Sequence, residues 1–291
     1  MRVLVTGATG FIGAPLLRAL TRKGHEVVAV VRNRDADVQG CRSVVWDVGQ
    51  EKRPASPLPR VDAIVHAAQS RNYQAFPADG REMFQVNVGG AWALLDYAVE
   101  TGVSRFCLLS SGTVYEPYRC ELEEDAPLAP TSFLGATKLA AEALAKPYGR
   151  HLSLSVPRLF FPYGPGQRKR LIPDIIERVR RGRPVELSSD GEGLRIVPTY
   201  VEDIVEIIGA ALSEGWTGTM NVASPRAVSL RELAEAIGSL IGKRPVFEIT
   251  NRETMRIVPM LDRLRAHFDM TRFTPLERAL EHVVADAVQA A

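Results

Sequence analysis

The chain has 291 residues, of which 46% are hydrophobic and 24% charged, and a formal net charge of +2. That composition suits a folded globular chain long enough for one large domain plus a smaller lobe, and the near-balanced charge gives no general electrostatic case for nucleic acid. No apolar run approaches the ~18 residues of a membrane span.

Arg2 begins a strand that runs straight into glycines, so no removable leader is expected. Val3 to Val5 is that first apolar strand, and Thr6-Gly7-Ala8-Thr9-Gly10-Phe11-Ile12-Gly13 follows it. Glycine permits a tight turn and close backbone approach to a pyrophosphate, and the helix that opens next adds the positive end of its dipole. Gly7, Thr9, Gly10, Phe11, Ile12 and Gly13 are therefore candidate dinucleotide contacts. A helix is expected over 12–22, with Leu16, Leu17 and Leu20 on one side, then strands over 27–31, 43–46 and 63–65.

The second strand ends in Val31-Arg32-Asn33-Arg34, where an NAD-binding turn usually carries an acidic residue for the ribose 2′-hydroxyl. Arg32 and Arg34 suit a 2′-phosphate instead, which favours NADP over NAD. Asp47, with Val48 beside it, stands where an adenine amine could be read, and equally where a turn needs a cap. Residues 50–60 are expected as a surface loop.

One long helix is expected over 81–101, with Phe84, Val88, Ala91 and Leu95 in helical spacing and Gly102 at its end. A fifth strand is expected over 106–109, a helix over 135–145 and a sixth strand over 152–156. Near-continuous apolar strands alternating with helices predict a doubly wound parallel α/β sheet. Farther on, 169–183 reads as a basic helix and 185–187 as a short strand. Ser229 and Glu232 read as a capping box. Cys41, Cys107 and Cys120 have no metal-ligand spacing and are expected as reduced thiols, in keeping with a cytoplasmic protein.

Taken in order, several segments resemble the extended short-chain dehydrogenase/reductases, the NAD-dependent epimerase/dehydratase family that acts on nucleotide sugars. They are the glycine turn; Asp62-Ala63-Ile64-Val65-His66-Ala67-Ala68; Asn87-Val88-Gly89-Gly90; and Leu109-Ser110-Ser111-Gly112-Thr113-Val114-Tyr115. Arg158 to Gln167, Asp190-Gly191 with Arg195, Tyr200-Val201-Glu202-Asp203 and Asn221-Val222-Ala223 complete the set. The resemblance implies a Rossmann-like domain over 1–165, rejoined by about 196–224, and a smaller α/β C-terminal substrate lobe over 166–195 and 225–291. It further implies cofactor contacts from Ala67, Ala68, Asn87 and Lys138, a substrate in the cleft between the lobes, and a homodimer through the helices over 81–101 and 135–146.

In that family a tyrosine and a lysine four residues apart share one helix face. The tyrosine moves the hydroxyl proton during hydride transfer, the lysine lowers its pKa, and a serine or threonine holds the hydroxyl. Ser111 matches the serine and Lys138 the lysine, but Leu134 stands where the tyrosine would be. Three explanations compete: another donor, with Tyr115, Tyr163 and Tyr73 as candidates; binding without turnover; or chemistry through Ser111 or a water relay. Gly112 and Thr113 occupy the places of a dehydratase's acidic pair, which disfavours 4,6-dehydration. Thr113, Arg195 and Arg256 are candidate substrate contacts, Arg256 in the loop before the last helix. Phe161 replaces an asparagine common in the segment linking to the substrate lobe. His66 reads as a packed strand-end residue. The expected activity is an NAD(P)-dependent epimerase or ketoreductase of a nucleotide-linked sugar. The alternatives are a non-catalytic dinucleotide-binding protein and a reductase of a small non-nucleotide carbonyl compound.

Overall fold

The computed structural model describes residues 1–38, 40–51, 53–54, 57–70, 75–119 and 121–289. Tyr73 and Cys120 lie outside the described residues. In chain order the elements begin β1 (Arg2–Thr6), α1 (Gly13–Arg22), β2 (Glu26–Val31), β3 (Arg42–Val45), β4 (Ala63–His66) and α2 (Gly80–Phe84). A π-helical turn (Gln85–Gly89) leads to α3 (Gly90–Thr101), β5 (Arg105–Leu108), β6 (Ser110–Ser111), a 3₁₀ turn (Gly112–Tyr115), α4 (Phe133–Ala145) and β7 (Ser153–Leu159). Then come β8 (Pro162–Tyr163), α5 (Leu171–Arg181), β9 (Pro184–Leu187), β10 (Arg195–Ile196), β11 (Thr199–Tyr200), α6 (Val201–Glu214) and β12 (Gly218–Val222). The chain closes with β13 (Val228–Ser229), α7 (Leu230–Ile241), β14 (Val246–Ile249), β15 (Arg256–Ile257), α8 (Asp262–Arg265) and α9 (Leu276–Gln289).

The chain divides into two compact units, one of Met1–Arg119, Glu124–Leu159 and Ile204–Asn221, the other of Cys120–Glu123, Phe160–Asp203 and Val222–Ala291. The first unit is built on a sheet of order β12-β7-β5-β4-β1-β2-β3, with β6 also on β7. The pairs β1–β2, β1–β4, β2–β3, β4–β5 and β5–β7 are all parallel. The strand order reverses at β1, and such sheets bind ligands outside the carboxyl ends of the strands at that point. Leu4, Val28, Ile64 and Phe106 from the strands pack with Ala91, Leu94, Leu95 and Ala98 of α3 in one buried cluster. These strands are apolar on both faces because helices cover both.

The helix expected over 81–101 is interrupted. The π-helical turn carries one residue too many for regular α spacing, and Asn87 sits inside it. Gly102 ends α3 at φ 74°, the left-handed conformation expected of it. The helix over 135–145 begins two residues earlier, at Phe133, because Ser132 caps it by accepting the Gly135 amide at 3.1 Å.

In the second unit β13, β10 and β15 form one sheet, β8 pairs with β11, and β9 pairs with β14. The capping box of α7 forms as expected: Ser229 Oγ accepts the Glu232 amide at 3.1 Å and Glu232 accepts the Ser229 amide at 2.7 Å. Arg256 lies not in a loop before the last helix but in β15, with α8 and α9 still to follow. Its strand is two residues long, too short to show as a period. No described helix is long and apolar enough to cross a membrane.

Candidate active site

The turn after β1 is shaped by three glycines. Gly7 has φ 65°, and a Cβ there would stand 2.6 Å from the Ala67 carbonyl oxygen. A Cβ on Gly13 would stand 2.0 Å from the Gly7 carbonyl oxygen, so only glycine lets α1 begin against the turn. Gly10 is exposed, and a Cβ there would meet only the Gly7 backbone, with its oxygen at 3.0 Å. The N-terminus of α1 has Ile12 at its cap, no side-chain cap and no acidic residue in the first turn. Its leading amides and positive dipole end suit a phosphate group. Thr9 is exposed and Phe11 half-buried on the same turn.

Arg32 and Arg34 follow β2 at the surface, and Arg32 lies 3.5 Å from the Glu82 carboxylate. Asp47 is a turn cap: its carboxylate accepts the Gly49 amide at 3.1 Å and the Gln50 side-chain amide at 3.2 Å. Buried Val48 packs against Gly90, where a Cβ would come within 3.1 Å of it.

Behind the turn, Thr6 Oγ1 accepts the Ala68 amide at 3.2 Å and pairs with His66 Nδ1 at 2.8 Å. Burial drives the His66 pKa down to about 3, with the Lys138 charge adding to the effect. His66 is thus a packed, neutral strand-end residue. Its Nε2 and the Asn87 Oδ1 are buried without a hydrogen-bond partner among the described residues. Asn87 Nδ2 donates to Thr137 Oγ1 at 3.0 Å, and Thr137 Oγ1 donates to the Leu134 carbonyl at 2.9 Å. These bonds tie the π-helical turn to the first turn of α4. An orphaned buried acceptor at Asn87 fits a bound polar group such as a dinucleotide.

Ser111 caps the 3₁₀ turn. Its Oγ accepts from the Thr113 amide at 3.2 Å and from Thr113 Oγ1 at 3.0 Å. Both lone pairs are taken, so the Ser111 proton is left to donate. A Cβ at Gly135 would stand 2.6 Å from the Thr113 carbonyl oxygen, so glycine brings α4 against this turn. Lys138, one helical turn after Leu134, is buried and donates from Nζ to the Leu109 carbonyl at 2.9 Å. Burial lowers its pKa to about 8, opposed in part by Glu142.

Tyr115 is engaged elsewhere. Its hydroxyl donates to Asn221 Oδ1 at 2.8 Å and accepts from Arg158 at 2.7 Å, and burial raises its pKa. Arg158 in turn makes a buried ion pair with Glu142 at 2.7 Å, and Ser110 bonds the same carboxylate. Glu124 accepts Arg158 on its carbonyl at 3.0 Å and the Asn221 amide on its side chain at 2.9 Å. Reading the sequence missed this network. Its one signal was an arginine amid the apolar residues of a strand, which demands a buried partner.

In the second unit Tyr163 is buried with its ring 5.8 Å from that of Tyr200, and burial raises its pKa. Phe161 sits at φ 40°. Asparagine tolerates that region and an aromatic residue rarely adopts it, a backbone reason for the asparagine expected there. Arg195 and Arg256 are direct neighbours in register between β10 and β15. Arg195 lies 3.7 Å from Glu232, and Arg256 is exposed. No cluster of three or more His, Cys, Asp or Glu side chains among the described residues could hold a metal ion.

The model of the NAD dependent epimerase/dehydratase family matches residues 3–223. The low-salt glycan biosynthesis protein Agl12 of Haloferax volcanii is 30% identical over 258 residues, 83% of each chain. A dTDP-4-dehydro-6-deoxy-D-allose reductase of Streptomyces sp is 29% identical over 83% of this chain and 81% of its own. Among solved structures, MoeE5 in complex with UDP-glucuronic acid and NAD superposes with a TM-score of 0.81 at 29% identity, covering all of both chains.

Proposed function

We propose, from the premise that this chain belongs to the NAD dependent epimerase/dehydratase family, that it is an epimerase or ketoreductase of a nucleotide-linked sugar working without the usual tyrosine. The observation that carries this reading is the joint placement of the glycine turn, Ser111 and Lys138 in one unit, with Leu134 on the intervening helix turn. The first unit would hold the dinucleotide and the second the sugar nucleotide. Gly7 to Gly13 would bind the pyrophosphate, Asp47 and Val48 the adenine, and Ala67, Ala68 and Asn87 the nicotinamide side. A bound nicotinamide dinucleotide supplies or accepts the hydride. Ser111, its lone pairs filled by Thr113, directs its hydrogen to the reacting oxygen, and Lys138 holds positive charge beside it. The paired Arg195 and Arg256 suit a nucleotide diphosphate.

Similar structures hold NAD, but no acidic residue closes β2 here, and Arg32 and Arg34 favour a 2′-phosphate. NADP is therefore the proposed cofactor. A homodimer through α3 and α4 is part of the same reading.

Single-turnover absorbance in the reduced-nicotinamide band tests the proposal, with excess protein mixed with NADP or NAD and each member of a nucleotide-sugar panel. The band is expected to rise with one sugar, and more with NADP. A flat trace, with cofactor and sugar both bound, would favour the second reading that Leu134 supports, a dinucleotide-binding protein without turnover.

A further inference from the structure

We propose that Lys138 is the proton-transferring residue of this site, its ammonium protonating the carbonyl oxygen of a keto-sugar and its amine taking the hydroxyl proton in the reverse direction. This rests on the oxidoreductase reading above. In reduction the carbonyl carbon gains a C–H bond from the hydride of the reduced nicotinamide. The C=O π pair becomes the new O–H bond as one Lys138 N–H breaks, and water reprotonates the amine.

The geometry supports this role. Leu134 and Lys138 are four residues apart on α4 and share a face, and leucine has no proton to exchange. Lys138 Nζ is anchored on Leu109, two residues before Ser111, by one of its three N–H groups. No ion pair within 4.0 Å engages it among the described residues. Glu142, the next acid along the helix, has its carboxylate occupied by Arg158 and Ser110. His66, at the end of β4, feels the Lys138 charge and is held neutral by burial. Tyr115, whose hydroxyl is bound on both sides, is a poor alternative. Ser111 orients the oxygen but is a hydroxyl fed by another hydroxyl, with no titrating group behind it. Burial places the Lys138 pKa at about 8, where ammonium and amine interconvert near neutral pH.

Two measurements test the role. The Nζ resonance of ¹⁵N-lysine-labelled protein, assigned by its absence in Lys138→Arg, is expected to titrate near 8 in the free protein. A midpoint at the ordinary lysine value of ~10.4 would overturn the proposal. In the single-turnover assay, Lys138→Arg keeps the charge but cannot give up its proton. At saturating dinucleotide it is expected to slow hydride transfer at least ~100-fold. In a Leu134→Tyr background, where a phenol can take over, the same substitution is expected to cost at least ~10-fold less. Near-wild-type transfer by Lys138→Arg overturns this role alone. No transfer by the wild-type protein with any sugar overturns the oxidoreductase reading, and this role with it.

Discussion

At the scale of single residues, burial at the end of β4 sets a pH limit on the first unit. His66 has its pKa lowered from 6.5 to about 3, chiefly by desolvation. The unfolded chain therefore binds a proton below about 6.5 that the folded chain refuses until about 3. Above that window the titration of His66 has no effect on stability. Within it, stability falls as the pH falls, by at most ~1.4 kcal/mol per pH unit for this one group. Melting temperature followed from neutral to acid pH should show the wild-type protein losing stability faster than His66→Gln. Parallel curves for the two proteins would show that His66 is not the titrating group.

At the scale of elements, α4 is locked to β7 by a charge pair that both elements bury. Arg158 and Glu142 are 4% and 8% exposed, and the arginine also braces Tyr115 and the Glu124 carbonyl. Arg158→Met would leave the Glu142 charge buried and unpaired, with an expected loss of about 3–5 kcal/mol in urea unfolding. Combining it with Glu142→Leu should recover much of that loss. A single substitution costing under ~1 kcal/mol would mean that solvent reaches the pair. Only an arginine amid the apolar residues of β7 announced this lock, since its partners come from separate elements. The parallel strands, α7 and its cap were legible because apolar period and capping chemistry are local. Motif order singled out Ser111 and Lys138 as candidates, but their hydrogen bonds left no trace in it. The π-helical turn was invisible, because one inserted residue barely disturbs a helical pattern, and β15 was too short to leave a trace.

At the scale of the whole molecule, the proposed homodimer rests on apolar side chains that α3 and α4 leave at the surface. Trp92, Val99 and Leu144 are 47%, 39% and 43% exposed. Sedimentation velocity should find a dimer that Trp92→Glu converts to monomer, and an unchanged species distribution would remove these helices as the interface. The chain course has its own consequence. The sheet of the first unit ends in β12, which the ribosome delivers only after Phe160–Asp203 of the other unit. Synthesis runs from the N-terminus, so β7 waits with an open edge, which is a template for wrong pairing. Translation stalled after Leu159 would release a fragment with that edge bare, whereas a stop after Val222 would not.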